Sequence, residues 1–216
     1  MGARASMLPA NVRRYWYAST TLYSHLLLRR VVGRVNERKH TVRLSFAALG
    51  VCLNILGSFL VMITRLPIYG DTLGTIFVGV FCGPFYAVPC ALVSSLLNAS
   101  YDPFAIPFIP NGITVALFAS LLRQPRLRNL PLALKAFIVG LPASVVSASV
   151  SAFVFGGITS AGSSYIVQLL HGVFQLPMVA SVFLVQVFTD YADKFLILVI
   201  VTLIIQRIPT RIKEKV

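Results

Sequence analysis

The stretch LSFAALGVCLNILGSFLVMIT, residues 44–64, decides the fold class, because it is 21 residues long and contains no charged side chain. An α-helix rises about 1.5 Å per residue, so this stretch is long enough to cross the ~30 Å hydrocarbon core of a bilayer. One amide, Asn54, interrupts it near the middle. The sequence therefore predicts a transmembrane helix at this position.

The composition of the whole chain extends this prediction. Of the 216 residues, 57% are hydrophobic and 12% are charged, and the mean hydropathy is +0.83. Soluble domains carry about 25% charged residues, and a chain of this size cannot hide so much apolar surface in one core. Soluble enzymes, secreted disulfide scaffolds and disordered tails are excluded. The three cysteines follow no metal-binding pattern, so we expect neither a disulfide nor a metal.

Five further apolar segments follow, at about residues 72–81, 85–99, 104–122, 132–155 and 177–208. Gly83-Pro84 separates the second helix from the third, and both are short for full spans. Part of this pair is therefore expected to rest inside the protein. A short interfacial helix is predicted at about residues 165–176. The predicted fold is all-α, a compact bundle of six transmembrane helices.

The basic residues test the number of spans. The net charge is +13, and the bases cluster in residues 1–43, in the loop at 123–128 and in the tail at 207–215. Six spans place all three clusters on one side, whereas five or seven would separate them. Because cytoplasmic loops of membrane proteins are enriched in Lys and Arg, both termini are predicted to be cytoplasmic, in a bacterial plasma membrane, and nucleic acid is not expected.

Three regions follow from this topology. Residues 1–43 hold nine bases and one acid and are expected to form a basic arm. This arm could lie on the membrane surface as a short helix, be a disordered lead-in, or be an over-long predicted start. Residues 44–208 form the membrane domain. Residues 209–216 form a basic cytoplasmic tail.

The sixth helix carries three charged residues, Asp190, Asp193 and Lys194, in its outer half. A charge in the bilayer costs about 2.5–3.5 kcal/mol, so these side chains need partners. Asp190 and Lys194 are four residues apart and can pair. Asp193 lies about 100° away around the helix and is expected to need another partner, such as Arg65 or a ligand. The pair is either an internal lock or a ligand contact.

Other polar residues share this outward depth. The residues predicted to form a substrate-binding pocket are Asp71, Asn98, Tyr101, Asn111, Gln186, Asp190 and Lys194. The alternative for each amide is a hydrogen bond between helices. Asp71 has a second interpretation as the cap of the second helix, since a carboxylate there can accept from free N–H groups. Three aromatic residues, Tyr69, Phe104 and Phe108, could stack on a ring-shaped ligand or anchor the chain at the membrane interface.

Catalytic motifs are absent from the sequence. It contains no H-E-x-x-H, G-x-S-x-G or Walker A motif, so we expect a protein that is not an enzyme, has no cofactor and binds no ATP itself. Energy for any transport would then come from a partner or a gradient.

The run LPIYGDTLGT at residues 66–75, followed by Gly83-Pro84, resembles the substrate-binding S components of energy-coupling factor (ECF) transporters. The run TDYADK at residues 189–194 is similar to the D-x-x-D-K run in the last helix of that family, and RIPTR at residues 207–211 resembles its usual exit. The likeness covers roughly residues 44–212.

This resemblance implies six helices, an outward pocket for a vitamin or similar micronutrient, and delivery through a transmembrane T subunit with two ATP-binding subunits. Family members dock on the T subunit through an A-x-x-x-A pattern on helix one, which corresponds here to Ala48 and Cys52. Intramolecular packing is the alternative for these two residues. Similar stretches occur in bacterial membrane sensors, so a sensor or interaction protein without transport is the alternative function.

Overall fold

A computed structural model describes residues 37, 39–64, 68–159, 162–214 and 216. The chain divides into two units. One is Met1–Val42 with Lys215, and the other is Arg43–Glu214 with Val216. Most of the predicted basic arm, and Arg65 as well, lies outside the described residues. The fold below is that of the second unit, together with the first turn of its first helix.

The described residues are all-helical, as predicted. The helices are α1 (Lys39–Thr64), α2 (Leu73–Cys82), α3 (Pro84–Asn98), α4 (Ile109–Leu121), α5 (Pro125–Arg128), α6 (Leu132–Phe155), α7 (Ser163–Gly172), α8 (Met178–Arg207) and α9 (Thr210–Lys213). A 3₁₀ turn at Pro103–Ala105 precedes α4. The six predicted apolar segments correspond to α1, α2, α3, α4, α6 and α8, and the predicted interfacial helix corresponds to α7.

Three helices differ in their bounds from the prediction by more than two residues. Helix α7 ends at Gly172 instead of at residue 176. Helix α1 begins at Lys39, inside the predicted arm, because helical geometry continues through the polar residues before Leu44. Helix α4 begins at Ile109 instead of at residue 104. The Asp102 side chain accepts a hydrogen bond from Phe104 N at 3.1 Å and starts the separate 3₁₀ turn instead.

Helix α2 forms the centre of the core. Its ten residues extend only about 15 Å, and Ile76, Phe77 and Val78 on it are almost fully buried. It packs against α3, α4 and α8, while α6 packs along α8 and α4. The sequence predicts that part of the short second and third helices rests inside the protein. The buried helix α2 meets this expectation.

Two helices, α1 and α6, are long and apolar enough to cross a membrane, which gives weak support for membrane association. Helix α8 is longer, at 30 residues, but carries three charged residues near its middle. Large apolar side chains are exposed on the outside of other helices too, for example Phe85 at 75% and Phe188 at 68%. Such surface is unusual on a water-soluble monomer.

Candidate functional site

A buried ion triad lies in the middle of α8. Lys194 Nζ is 3.2 Å from Asp190 Oδ1 and 2.9 Å from Asp193 Oδ2, and all three side chains are at most 1% exposed. The predicted Asp190–Lys194 pair is therefore confirmed. The expectation that Asp193 needs a different partner is wrong, because the long lysine side chain reaches both carboxylates. One positive charge is thus shared between two carboxylates, which leaves the triad with a formal excess of one negative charge.

Asp190 also connects α8 to α6. Ser147 Oγ donates a hydrogen bond of 2.6 Å to Asp190 Oδ2, so both carboxylate oxygens of Asp190 have a partner. Ser147 lies on a face of small residues along α6, and these residues allow the two helices to approach closely. The serine thereby supplies a donor that the buried carboxylate needs.

Asp193 holds the segment that joins α1 to α2. Its Oδ1 accepts hydrogen bonds from Tyr69 N at 3.2 Å and Gly70 N at 3.0 Å. The Tyr69 hydroxyl donates to Gln186 Oε1 at 2.5 Å and lies 3.0 Å from Ser163 Oγ. Residues 69–70 are therefore bound to both α7 and α8 through a single tyrosine and a single aspartate.

The Tyr69 phenol stays neutral in this position. Burial raises its pKa well above the ordinary value, and the nearby Asp190 carboxylate raises it further. Lys194 Nζ lies 5.6 Å from the centroid of the Tyr69 ring, on its face, where a cation is attracted by the π electrons. A neutral phenol can keep donating to Gln186 at any physiological pH.

Asn54 on α1 caps α2, and Asp71 does not. The Asn54 Oδ1 atom accepts from Gly74 N at 2.6 Å and Thr75 N at 3.1 Å, which are free N–H groups at the start of the helix. Its Nδ2 donates to Thr75 Oγ1 and to Ser94 Oγ on α3. The capping role predicted for Asp71 is thus wrong, because an amide from another helix occupies that position.

Glycines allow α1 to approach α2 this closely. A Cβ atom on Gly74 would overlap the Gly50 carbonyl oxygen, and one on Gly57 would overlap the Gly70 carbonyl oxygen. Gly70 also has a φ of 63°, a left-handed conformation that favours glycine. These contacts fix the segment between α1 and α2 against α1.

A cavity of about 110 Å³ lies inside this framework. It is lined by residues of α1, α2, α3, α4, α6 and α8, and by the segments that join them. Four predicted site residues line it together: Asp71, Asn98, Asn111 and Asp190. Their sequence positions span 120 residues, so only the fold brings them together.

The other three predicted site residues lie behind the wall. Tyr101 Oη donates to Asn98 Oδ1 at 2.6 Å, Gln186 accepts from Tyr69, and Lys194 pairs with Asp190. In the described structure these three do not line the cavity. Each contacts a residue that does, and so can orient it.

Three polar atoms of the cavity wall are buried and have no hydrogen-bond partner in the described part of the chain. They are Asp71 Oδ1, Thr72 Oγ1 and Asn111 Oδ1. Thr72 is 2% exposed and Asn111 is 9% exposed. Buried oxygens without partners are costly in a folded protein, so their collection in one cavity marks it as the candidate binding site.

Asp71 lies outside the helices and has a perturbed acidity. Burial raises the pKa of its carboxyl to about 6; Lys194 opposes this shift, while Asp193 and Asp190 add to it. Perturbed carboxyl groups of this kind are found at functional sites.

The pattern of residue types did not identify Thr72 as part of the site. Its only signal was its place directly after Asp71 in the LPIYGDTLGT run, where a helix was predicted to begin.

Phe104 and Phe108 do line the cavity. Both also pack on Phe155 of α6, with ring centroids 4.8 Å and 6.0 Å away.

The two residues predicted for partner docking, Ala48 and Cys52, are exposed on one side of α1. The opposite side of α1 carries Gly50 and Asn54, which contact α2. In the described unit, α1 therefore packs against α2 through the side that carries Gly50 and Asn54.

No family model, curated protein or solved structure matches this chain. In the part of the chain that the structure describes, no group of three or more His, Cys, Asp or Glu side chains could hold a metal ion.

Proposed function

We propose that this chain is the substrate-binding S component of an ECF-type importer in a bacterial plasma membrane. It captures a vitamin or related micronutrient outside the cell and delivers it through a T subunit and two ATP-binding subunits. The chain itself performs no chemical reaction on its ligand. Six spans and two cytoplasmic termini belong to this proposal.

One observation carries the proposal. The two runs that resemble the S-component family, residues 66–75 and 189–194, are far apart in sequence but meet at one cavity. Asp193 of the second run accepts from the backbone N–H groups of Tyr69 and Gly70 in the first. Asp71 of the first run and Asp190 of the second both line the cavity. A shared binding site accounts for this meeting, whereas two unrelated structural motifs would not require it.

The arrangement of the helix ends supports the even number of spans. Arg43, near the start of α1, donates a hydrogen bond to the backbone oxygen of Val216. The first and last residues of the second unit therefore lie at the same end of the bundle. Two termini that both face the cytoplasm require this position.

The first experiment asks whether the protein carries a ligand. The full chain is purified from cells grown in rich medium, and the bound small molecules are identified by mass spectrometry. We expect one small molecule to be enriched in the wild type and in Gln124→Ala, a control in the exposed loop after α4. Asn111→Leu should lose it, because leucine has a similar size but lacks the free oxygen. If repeated preparations and a vitamin binding panel yield no ligand, the capture role is refuted.

A second experiment separates import from sensing. Cells producing the chain together with a T subunit and two ATP-binding subunits should take up the identified molecule when ATP is available. Ala48→Trp should abolish uptake but leave ligand binding intact, because it blocks the predicted docking surface on α1. Ligand binding without uptake or association with a T subunit would favour the alternative function, a membrane sensor.

A further inference from the structure

Resting on the capture function proposed above, we infer that the ligand of this cavity is a compact organic cation with N–H donors, whose positive charge is bound by Asp71. The inference follows from the charges that line the cavity, from the oxygens that have no partner, and from the shape of the remaining wall.

The charged residues of the wall are all acidic. Asp71, Asp102 and Asp190 line the cavity, and in the described part of the chain no Lys, Arg or His side chain does. Lys194, which pairs with the wall residue Asp190, is shared between Asp190 and Asp193. One positive charge therefore faces two carboxylates before Asp71 is counted. An anionic ligand would meet an excess of like charge, whereas a cation would offset it.

The individual oxygens assign the binding of the charge to Asp71. Both carboxylate oxygens of Asp190 have partners, in Lys194 and Ser147. Asp71 Oδ1 has none in the described part of the chain. The ion triad on α8 therefore acts as a support, and Asp102 caps the 3₁₀ turn by accepting from Phe104 N. Asp71 is then the carboxylate that is available to a ligand.

The neighbouring unpartnered atoms point to donors on the ligand. Thr72 Oγ1 and Asn111 Oδ1 are both buried, and both are oxygens that can accept a hydrogen bond. Together with Asp71 Oδ1 they provide three acceptors for one ligand. A primary ammonium group has three N–H donors and matches such a set, and its bond to a carboxylate is charge-assisted.

The rest of the wall defines the other part of the ligand. Val61, Met62, Phe104 and Phe108 provide an apolar surface in the same cavity. A bare inorganic ion would leave this surface unused, and the volume of about 110 Å³ is larger than one ion requires. An organic cation with an apolar or ring-shaped portion fills both the acidic part and the apolar part of the cavity.

The test uses three aromatic probes of similar size and different charge, benzylammonium, benzyl alcohol and benzoate, with sodium chloride at matched ionic strength. Binding to the detergent-purified full chain is measured by calorimetry. We expect benzylammonium to bind at least about tenfold more tightly than the other two. Asp71→Asn, which keeps the shape and loses the charge, should weaken benzylammonium about tenfold, whereas Glu214→Gln at the exposed C-terminal end should not.

Asn111→Leu provides a second measurement in case Asp71→Asn folds poorly, and it should also weaken benzylammonium. The inference is overturned if benzoate or benzyl alcohol binds as tightly as benzylammonium, if sodium chloride reproduces the signal, if none of the probes binds, or if Asp71→Asn folds and binds normally. These failures differ from failure of the capture function. If an anionic or neutral molecule co-purifies with the protein, capture stands and the cationic ligand class is wrong.

Discussion

Lys194 is a single buried cation between two carboxylates, and its removal leaves Asp190 and Asp193 without compensation. Breaking a buried ion pair by removing one partner costs about 3–5 kcal/mol. We expect Lys194→Met to lower the thermal midpoint of the detergent-purified protein strongly. Lys135→Met, in the first turn of α6, should have little effect.

The carboxylates supply the decisive comparison for Lys194. Adding Asp190→Asn and Asp193→Asn to Lys194→Met should restore much of the lost stability, because the uncompensated charges disappear. If Lys194→Met alone is as stable as the wild type, the triad does not carry the charges that its geometry indicates.

Asp71 predicts a dependence of stability on pH. Its pKa rises from 3.8 to about 6 on folding, mainly because of burial, so the folded state holds the proton more tightly. Its stabilising contribution is present below pH 3.8 and is lost as the pH rises through about 6. The difference amounts to at most about 3 kcal/mol, and Asp71→Asn should abolish it.

The measurement for Asp71 is the thermal midpoint of wild type and Asp71→Asn across this pH range. The wild type should lose stability relative to the variant as the pH rises, and Glu214→Gln should follow the wild type. Parallel curves for the wild type and Asp71→Asn would contradict the assignment of a raised pKa to this residue.

The residues of the site differ in how far sequence predicts them. The Asp190–Lys194 pair follows from helix periodicity, because residues four apart share a face. The second partner of Lys194 does not follow from helix periodicity, because it depends on the reach of the lysine side chain. The capping of α2 by Asn54 does not follow either, because it depends on a contact between two helices. The sequence is compatible with Asp71 either in the site or as the cap of α2, and only the position of Asn54 on α1 separates the two roles.

At the scale of the elements, the contact of α1 with α2 depends on the absence of side chains. Gly74→Ala would place a methyl group onto the Gly50 carbonyl oxygen, so the two helices must separate. The Asn54 cap would then be strained or lost, and we expect a loss of a few kcal/mol of stability, since buried groups left unpaired cost about 1–3 kcal/mol each.

Gly172→Ala is a matched control in α7, where a Cβ meets nothing within 4 Å. It should be neutral or stabilising by up to about 1 kcal/mol, because alanine favours the helix more than glycine does. Thermal midpoints of both variants check the prediction. Equal effects would mean that the close approach of α1 to α2 is not important for stability.

Helix positions were largely predictable, because long apolar runs bounded by Gly, Pro and charged residues leave few alternatives. The start of α4 was not predictable, since Pro107 and Pro110 are compatible either with a first helical turn or with an interruption before the helix. The hydrogen bond from Phe104 N to Asp102 decides for the interruption. The short helices α5 and α9 carry no apolar periodicity that could have predicted them.

At the scale of the whole molecule, the proposed six spans place the end of α3 outside and the loop after α4 inside. Ser100 and Gln124 mark these two places, and both are exposed. We expect Ser100→Cys to react with a membrane-impermeant maleimide on intact cells, and Gln124→Cys to react only after permeabilisation. Cys52→Ala is the background for both, because Cys52 is exposed while Cys82 and Cys90 are buried.

The expected labelling of Ser100→Cys and Gln124→Cys depends on α4 crossing the bilayer with α3 beside it, although α4 has only 13 residues. A helix of that length extends about 20 Å, so the 3₁₀ turn at Pro103–Ala105 and the residues up to α4 must supply the rest of the crossing. If Ser100→Cys and Gln124→Cys label equally on intact cells, these elements do not cross. The basic loop at residues 123–128 would then be outside, which the distribution of bases in membrane proteins disfavours.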